Sequence, residues 1–248
     1  GPVVSSAYAE LAARYPDCTR IVVAPFGWND PLGTALHVSA DPAALCHALC
    51  DALPPVPPDL GWNGLILDAE RRVWETVNAA LAEEQFCEGL VARTLIGELP
   101  QGTVLTIGNS LPVRDLDLFC PPSDKPLRVL HQRGASGIDG LISSVAGVRT
   151  KTDQPVALLL GDLSAQHDLG GLAALASVQG PLLVVIVQNG GGRIFQQLPI
   201  GKNTVAAPHF SKLFLTPQAI DFAAAAAAFG IAFARVHEAA SYRQALRQ

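Results

Sequence analysis

The chain has 248 residues, 49% of them apolar and 16% charged, with a formal net charge of −5. This supplies enough apolar surface for a substantial core and excludes a disordered chain. It also offers no basic face of the kind that nucleic acid or an anionic membrane requires. The five cysteines, Cys18, Cys46, Cys50, Cys87 and Cys120, are scattered and odd in number, which reads as reduced thiols in an intracellular protein. No apolar run approaches the roughly 18 to 20 residues of a membrane helix, so a soluble protein is expected. The Gly1-Pro2 start, the lack of a signal-peptide pattern and the absence of methionine point to a piece of a longer polypeptide.

In chain order, the pattern predicts a helix over SSAYAELAARY, a strand from Thr19 to Ala24 and a turn at Gly27-Trp28-Asn29-Asp30. A short strand from Ala35 to Ser39 and a helix opened by Asp41-Pro42 follow. Residues 1–53 hold too little to close a doubly wound sheet. Pro54-Pro55-Val56-Pro57-Pro58 cannot continue a helix, so residues 54–70 read as an extended linker and a domain boundary.

From Arg71 onward helices and strands alternate. A long helix runs to Leu99, then strand Thr103–Ile107, helix Leu111–Phe119, strand Leu127–His131 and helix Ile138–Val148. Strand Val156–Leu160, helix Asp168–Val178, strand Leu182–Val187, helix Pro217–Phe229, strand Ile231–Val236 and helix Ala239–Leu246 complete the series. The alanine run Ala223–Ala228 reads as a close-packed helix. Wholly apolar strands separated by helices define an α/β fold with a mainly parallel, doubly wound sheet. Ligands of such sheets sit beyond the carboxyl ends of the strands.

Asp162 ends one apolar run, PVALLLGD, and Asn189 ends the next, PLLVVIVQNGGG. On neighbouring strands their oxygens emerge at one edge. With a carbonyl freed by the glycine turn they form half an octahedral shell for a hard cation such as magnesium. Backbone N–H groups of Leu163, Ser164 and the helix beyond suit a diphosphate, and Gly190, Gly191 and Gly192 permit close backbone approach. Taken singly, Gly161-Asp162 is an ordinary strand-to-helix turn and Asn189-Gly190 an ordinary left-handed turn. Cys46-His47-x-x-Cys50 has no second ligand pair at finger-like spacing and reads as a core face of a helix. His131 and His167 read as satisfied polar residues.

Together, GD followed by an asparagine that closes the next strand resembles the thiamine diphosphate motif. Four blocks in order narrow the resemblance: Ile107-Gly108-Asn109-Ser110-Leu111-Pro112-Val113-Arg114-Asp115; Arg133-Gly134-Ala135-Ser136-Gly137-Ile138-Asp139-Gly140; Gly161-Asp162-Leu163-Ser164; and Gly191-Gly192-Arg193-Ile194-Phe195 with Leu198-Pro199. They resemble the signatures of the 2-succinyl-5-enolpyruvyl-6-hydroxy-3-cyclohexene-1-carboxylate synthase family of menaquinone and phylloquinone biosynthesis. The resemblance covers residues 75–248 well and residues 1–53 weakly, as the end of a middle α/β domain.

The resemblance implies a transferase that decarboxylates 2-oxoglutarate on thiamine diphosphate and adds the succinyl carbanion equivalent to isochorismate. It implies magnesium or manganese held by Asp162, Asn189 and the Gly191 carbonyl, and cofactor contacts from Ser136, Gly161, Leu163 and Ser164. Ile138 would prop the bent cofactor. Arg114 and Arg133 would bind substrate carboxylates, for which a guanidinium fork is suited, with surface ion pairing as their alternative role. Asn109 and Ser110 would hydrogen-bond substrate, helix capping being the other reading of Ser110. Ile194, Phe195 and Leu198 would form an apolar wall, or Phe195 a plain core residue.

Where the family carries consecutive asparagines, this chain has Gln188 and Gly190 beside Asn189. The family's N-terminal pyrimidine-binding domain, with its proton-relaying glutamate, has no counterpart in the sequence. The isolated chain is therefore expected to be inactive without that domain, supplied by the parent protein or another chain. The family further implies a homo-oligomer, dimer or tetramer, in the cytoplasm, or in the plastid of a photosynthetic eukaryote. Two other readings stay open: an acetolactate synthase-like 2-oxoacid decarboxylase or carboligase, and a catalytically silent fragment or binding module.

Overall fold

The computed structural model describes residues 6–27, 30, 33–55, 57, 59–83, 86–132 and 134–247. They fall into two compact units, residues 1–73 and 74–248. In the first, helix α1 (Ser6–Arg14) precedes strands β1 (Ile21–Val23) and β2 (Leu36–Val38), which pair in parallel, and helix α2 (Pro42–Ala52) follows. Asp41 caps α2 as expected, its Oδ1 accepting from the Ala44 N–H at 2.9 Å. Trp28 and Asn29 of the expected turn lie outside the described residues. Cys46 and Cys50 share an exposed face of α2 rather than a core face, because this small unit gives the helix no buried residue.

Most of the expected extended linker, residues 54–70, is helical instead. Helix α3 (Leu60–Glu83) starts after Asp59, whose Oδ1 accepts from the Trp62 N–H at 3.0 Å. The boundary between the units falls inside this helix. The long helix expected to reach Leu99 is broken: after α3 the chain restarts as α4 (Glu88–Glu98), and Phe86 in the break packs its ring 5.6 Å from that of Tyr242. A continuous helix would forfeit that contact.

The second unit is built on a four-stranded, wholly parallel sheet of β3 (Val104–Ile107), β4 (Arg128–His131), β5 (Val156–Gly161) and β6 (Leu182–Val187), in the order β4-β3-β5-β6. Between them run α5 (Leu111–Phe119), α6 (Leu141–Arg149), α7 (Asp162–His167) and α8 (Gly171–Ser177). After β6 come two short 3₁₀ turns (Arg193–Gln197 and Pro199–Lys202), α9 (Ala207–Phe210), a π turn (Ser211–Leu215), α10 (Phe222–Ala228) and α11 (Ala239–Leu246). The helix expected over Asp168–Val178 is α8, shortened to Gly171–Ser177, and a separate helix, α7, precedes it, starting on Asp162 itself. The helix expected from Pro217 starts five residues later, where Asp221 Oδ1 accepts from the Ala223 N–H at 3.0 Å and ends the preceding coil.

Alternation along β5 assigns the two faces. Val156, Leu158 and Leu160 pack with Leu141, Ile142 and Val145 of α6 on one side. Ala157 and Leu159 pack with Val91, Ala92 and Leu95 of α4 and Tyr242 of α11 on the other. The sheet is thus doubly wound, as expected. Ile231–Val236 forms no strand: Ile231 packs into one face's core and Val236 into the other's, so the segment crosses between them. All five cysteines are free thiols, and no helix of the described residues is long and apolar enough to cross a membrane.

Candidate cofactor site

Because β3, β5 and β6 are parallel, residues 108–110, 162–164 and 188–190 leave the sheet at one edge. The winding reverses between β3 and β5, the place where open α/β sheets leave a crevice. A cavity of about 440 Å³ opens there. Its walls include Asn109, Ser110 and Arg114; Ser136 and Ile138; Gly161, Asp162, Leu163 and Ser164; and Asn189, Gly191, Ile194, Phe195 and Leu198. The residues singled out by sequence for this site are therefore in one cavity, except Gly190, which does not line it, and Arg133, which lies outside the described residues. Neither His131 nor His167 lines it.

Asp162 is buried at the start of α7, and its carboxylate is the hub of the edge. Oδ1 accepts from the Leu163 N–H at 2.8 Å, while Oδ2 accepts from Gly190 at 3.0 Å and Gly191 at 2.9 Å. A carboxylate has about four acceptor positions, so one remains for a ligand. Asn189 donates from Nδ2 to Glu88 Oε1 at 3.1 Å, and its buried Oδ1 accepts no hydrogen bond from the described residues. The Asn189 carbonyl accepts from Arg193 Nε at 2.9 Å.

Glycine is required in this turn. Gly191 has φ +109° and a Cβ there would run into the Leu215 carbonyl oxygen, which also accepts from the Gly192 N–H at 2.7 Å. A Cβ on Gly192 would strike the Phe214 carbonyl oxygen. Gly190, at φ +84°, is in the region that asparagine also tolerates, so the departure from the family's asparagine keeps the backbone course. Gln188 Nε2 reaches the Ile220 carbonyl at 3.4 Å instead.

On the opposite wall, Ser110 holds φ +72°, ψ −130° and makes no side-chain cap bond to α5. Such backbone is strained for any residue with a Cβ, and capping does not account for it. Arg114 reaches back so that its Nη1 donates to the Ser110 carbonyl at 2.7 Å. Asn109, 2% exposed, donates from Nδ2 to the Gly137 carbonyl at 2.6 Å, tying the end of β3 to the loop that carries Ser136 and Ile138. This gives it a holding role beside the expected substrate contact. Phe195 stacks edge-on to Phe214 at 5.5 Å, so it serves both the cavity wall and the packing behind it.

Three neighbours were not assigned by sequence reasoning. Asp115 lines the cavity and is 7% exposed; burial, with Glu88 nearby, pushes its carboxyl up to about 7 despite the adjacent Arg114. Glu88 and Arg193 hold Asn189 from either end. A charged residue one position from a motif residue gives no signal of its burial, and Glu88 lies 101 positions from Asn189.

Among the described residues no three His, Cys, Asp or Glu side chains gather as a metal site. The hard oxygen set of a carboxylate, an amide oxygen unpartnered among the described residues and the Gly191 carbonyl, which the turn does not free since it accepts from the Arg193 N–H at 2.8 Å, nonetheless suits magnesium completed by phosphate oxygens. The doubly wound sheet with this oxygen-lined crevice defines an α/β domain of the kind that takes its ligand beyond the carboxyl ends of the strands. Comparison with known proteins narrows the class. Residues 119–248 match the family described as thiamine pyrophosphate enzyme, C-terminal TPP binding domain, and the chain belongs to that family. It is similar to the 2-succinyl-5-enolpyruvyl-6-hydroxy-3-cyclohexene-1-carboxylate synthase of Sorangium cellulosum (strain So ce56), 44% identical over 99% of this chain and 41% of that protein. The synthases of the same name from Roseiflexus sp. (strain RS-1) and Halobacterium salinarum (strain ATCC 29341 / DSM 671 / R1) are each 37% identical, over 97% and 93% of this chain and 40% and 39% of theirs. The chain thus spans about two fifths of the curated relatives it matches.

Proposed function

We propose that this chain is the cofactor-holding portion of a 2-succinyl-5-enolpyruvyl-6-hydroxy-3-cyclohexene-1-carboxylate synthase, using 2-oxoglutarate and isochorismate. The observation that carries the reading is the pair formed by the buried, unpartnered Asn189 Oδ1 and the Asp162 carboxylate on one cavity. Residues 71–248 are the cofactor domain and residues 1–53 the end of a middle domain, a division supported by the two compact units.

In this reading Asp162, Asn189 and the Gly191 carbonyl would hold magnesium or manganese, while Gly161, Leu163, Ser164, Ser136 and Ile138, which line the same cavity, would hold thiamine diphosphate. The chemistry supplied by bound thiamine diphosphate is an electron sink for carbanion formation. The chain's own part is orientation and charge. Arg114, together with Arg133, binds substrate carboxylates; burial pushes the Asp115 carboxyl beside it up to about 7, so it offsets the guanidinium less than an ordinary carboxylate would. Ser110 offers its hydroxyl, with Asn109 behind it holding the loop. Ile194, Phe195 and Leu198 would give the cavity an apolar wall that limits access of water to the bound substrates. A pyrimidine-binding domain, in the same polypeptide or another chain of an oligomer, supplies the acid that activates the cofactor.

The test is substrate choice in the presence of that domain. Release of CO₂ from 2-oxoglutarate and none from pyruvate is expected; preference for pyruvate would place the chain among acetolactate synthase-like enzymes instead.

A further inference from the structure

The two ends of an asparagine amide are nearly equal in size but opposite in hydrogen-bonding character, so a metal-ligating asparagine needs something to fix which end faces the ion. Glu88 is placed to do this. It is the first residue of α4, whose N-cap Cys87 makes no side-chain cap bond, and Glu88 reaches across to Asn189 rather than along its own helix. A carboxylate only accepts, so it takes the NH₂ end, as the 3.1 Å contact from Nδ2 to Oε1 shows. Arg193 Nε holds the Asn189 carbonyl at 2.9 Å, and Asp162 Oδ2 holds the next N–H, that of Gly190, at 3.0 Å. The amide is thus fixed with Oδ1 as its unused atom, buried without a partner among the described residues. An orphaned acceptor of this kind is unfavourable until a cation or donor meets it.

We propose that Glu88 is a positioning residue of the metal site, setting the Asn189 amide so that Oδ1, and not the NH₂ group, is presented to the cation. The inference rests on the proposed cofactor reading. Its role is orientation rather than charge, and the two are separable by substitution. Glu88→Gln keeps an acceptor for Nδ2 and loses the charge; Glu88→Leu loses both.

The experiment titrates Mn²⁺ into the chain at fixed thiamine diphosphate, with the protein-free mixture as blank, and follows bound Mn²⁺ by electron paramagnetic resonance. Asp162→Ala serves as the control for the site. Thermal midpoints of each variant without metal report folding separately. Expected are loss of Mn²⁺ binding in Asp162→Ala, a weakening of about 10- to 100-fold in Glu88→Leu, and retention within about threefold in Glu88→Gln. Binding unchanged in Glu88→Leu while Asp162→Ala abolishes it would overturn the role of Glu88 and leave the cofactor reading standing. Equal loss in Glu88→Gln and Glu88→Leu would overturn orientation in favour of charge. Absence of Mn²⁺ binding in the unaltered chain, both alone and mixed with a pyrimidine-binding domain, would overturn both.

Discussion

Asp162 Oδ2 accepts from two successive N–H groups of the turn after β6, so one side chain ties the end of β5 to the residues that flank Asn189. Asp162 and Asn189 were legible in sequence because each closes an apolar run. Glu88 and Asp115 were not, since their importance lies in burial and in contacts across the fold. Asp115 yields a prediction. Its folded pKa, about 7, stands above the unfolded value of 3.8. Below the lower value both states hold the proton. Between the two the unfolded chain releases it first and stability falls; above pH 7 the full penalty persists. Asp115→Asn should therefore raise the thermal midpoint at pH 8, by up to about 4 kcal/mol of stability, and the difference should vanish towards pH 3. Thermal melts across pH 3–8 check this, and a destabilised variant at pH 8 would contradict it.

At the scale of elements, the alternation of apolar strands and helices was readable, whereas several ends and breaks were not. The α3–α4 break depends on Phe86 meeting Tyr242, a contact between residues distant in sequence. The I-A-F-A-R-V segment looked like a strand because it buries residues on two faces, which a strand also does. Its Arg235 pairs with Asp221 at 3.1 Å and Phe233 stays 44% exposed, while Ile231 and Val236 enter different cores. The glycine turn was expected to admit a ligand close to the backbone; in the structure Gly191 and Gly192 lie against the Leu215 and Phe214 carbonyls, and the three positions differ in tolerance. Gly191→Ala meets both a left-handed backbone and the Leu215 carbonyl, so a loss of about 1 to 3 kcal/mol is expected, with weaker Mg²⁺-dependent binding. Gly190→Asn, at φ +84°, should cost under about 1 kcal/mol. Chemical denaturation measures both, and an innocuous Gly191→Ala would contradict the described turn.

For the whole molecule, doubly wound topology follows from strand order: with β3 and β5 adjacent and the winding reversed between them, motifs from four stretches of sequence converge on one edge. Sequence supplied the motif residues of this site but not Glu88, Asp115 or Arg193, and the topology explains why the motifs meet. The chain spans about two fifths of its curated relatives, and the proposed chemistry draws on a pyrimidine-binding domain as well. The central claim is that the edge formed by Asp162 and Asn189 binds thiamine diphosphate through a divalent cation. Calorimetric titration of thiamine diphosphate with Mg²⁺, into the chain alone and mixed with a pyrimidine-binding domain, tests it most directly. The account predicts Mg²⁺-dependent binding that Asp162→Ala abolishes; no binding in either mixture, or binding indifferent to Asp162→Ala, would contradict it.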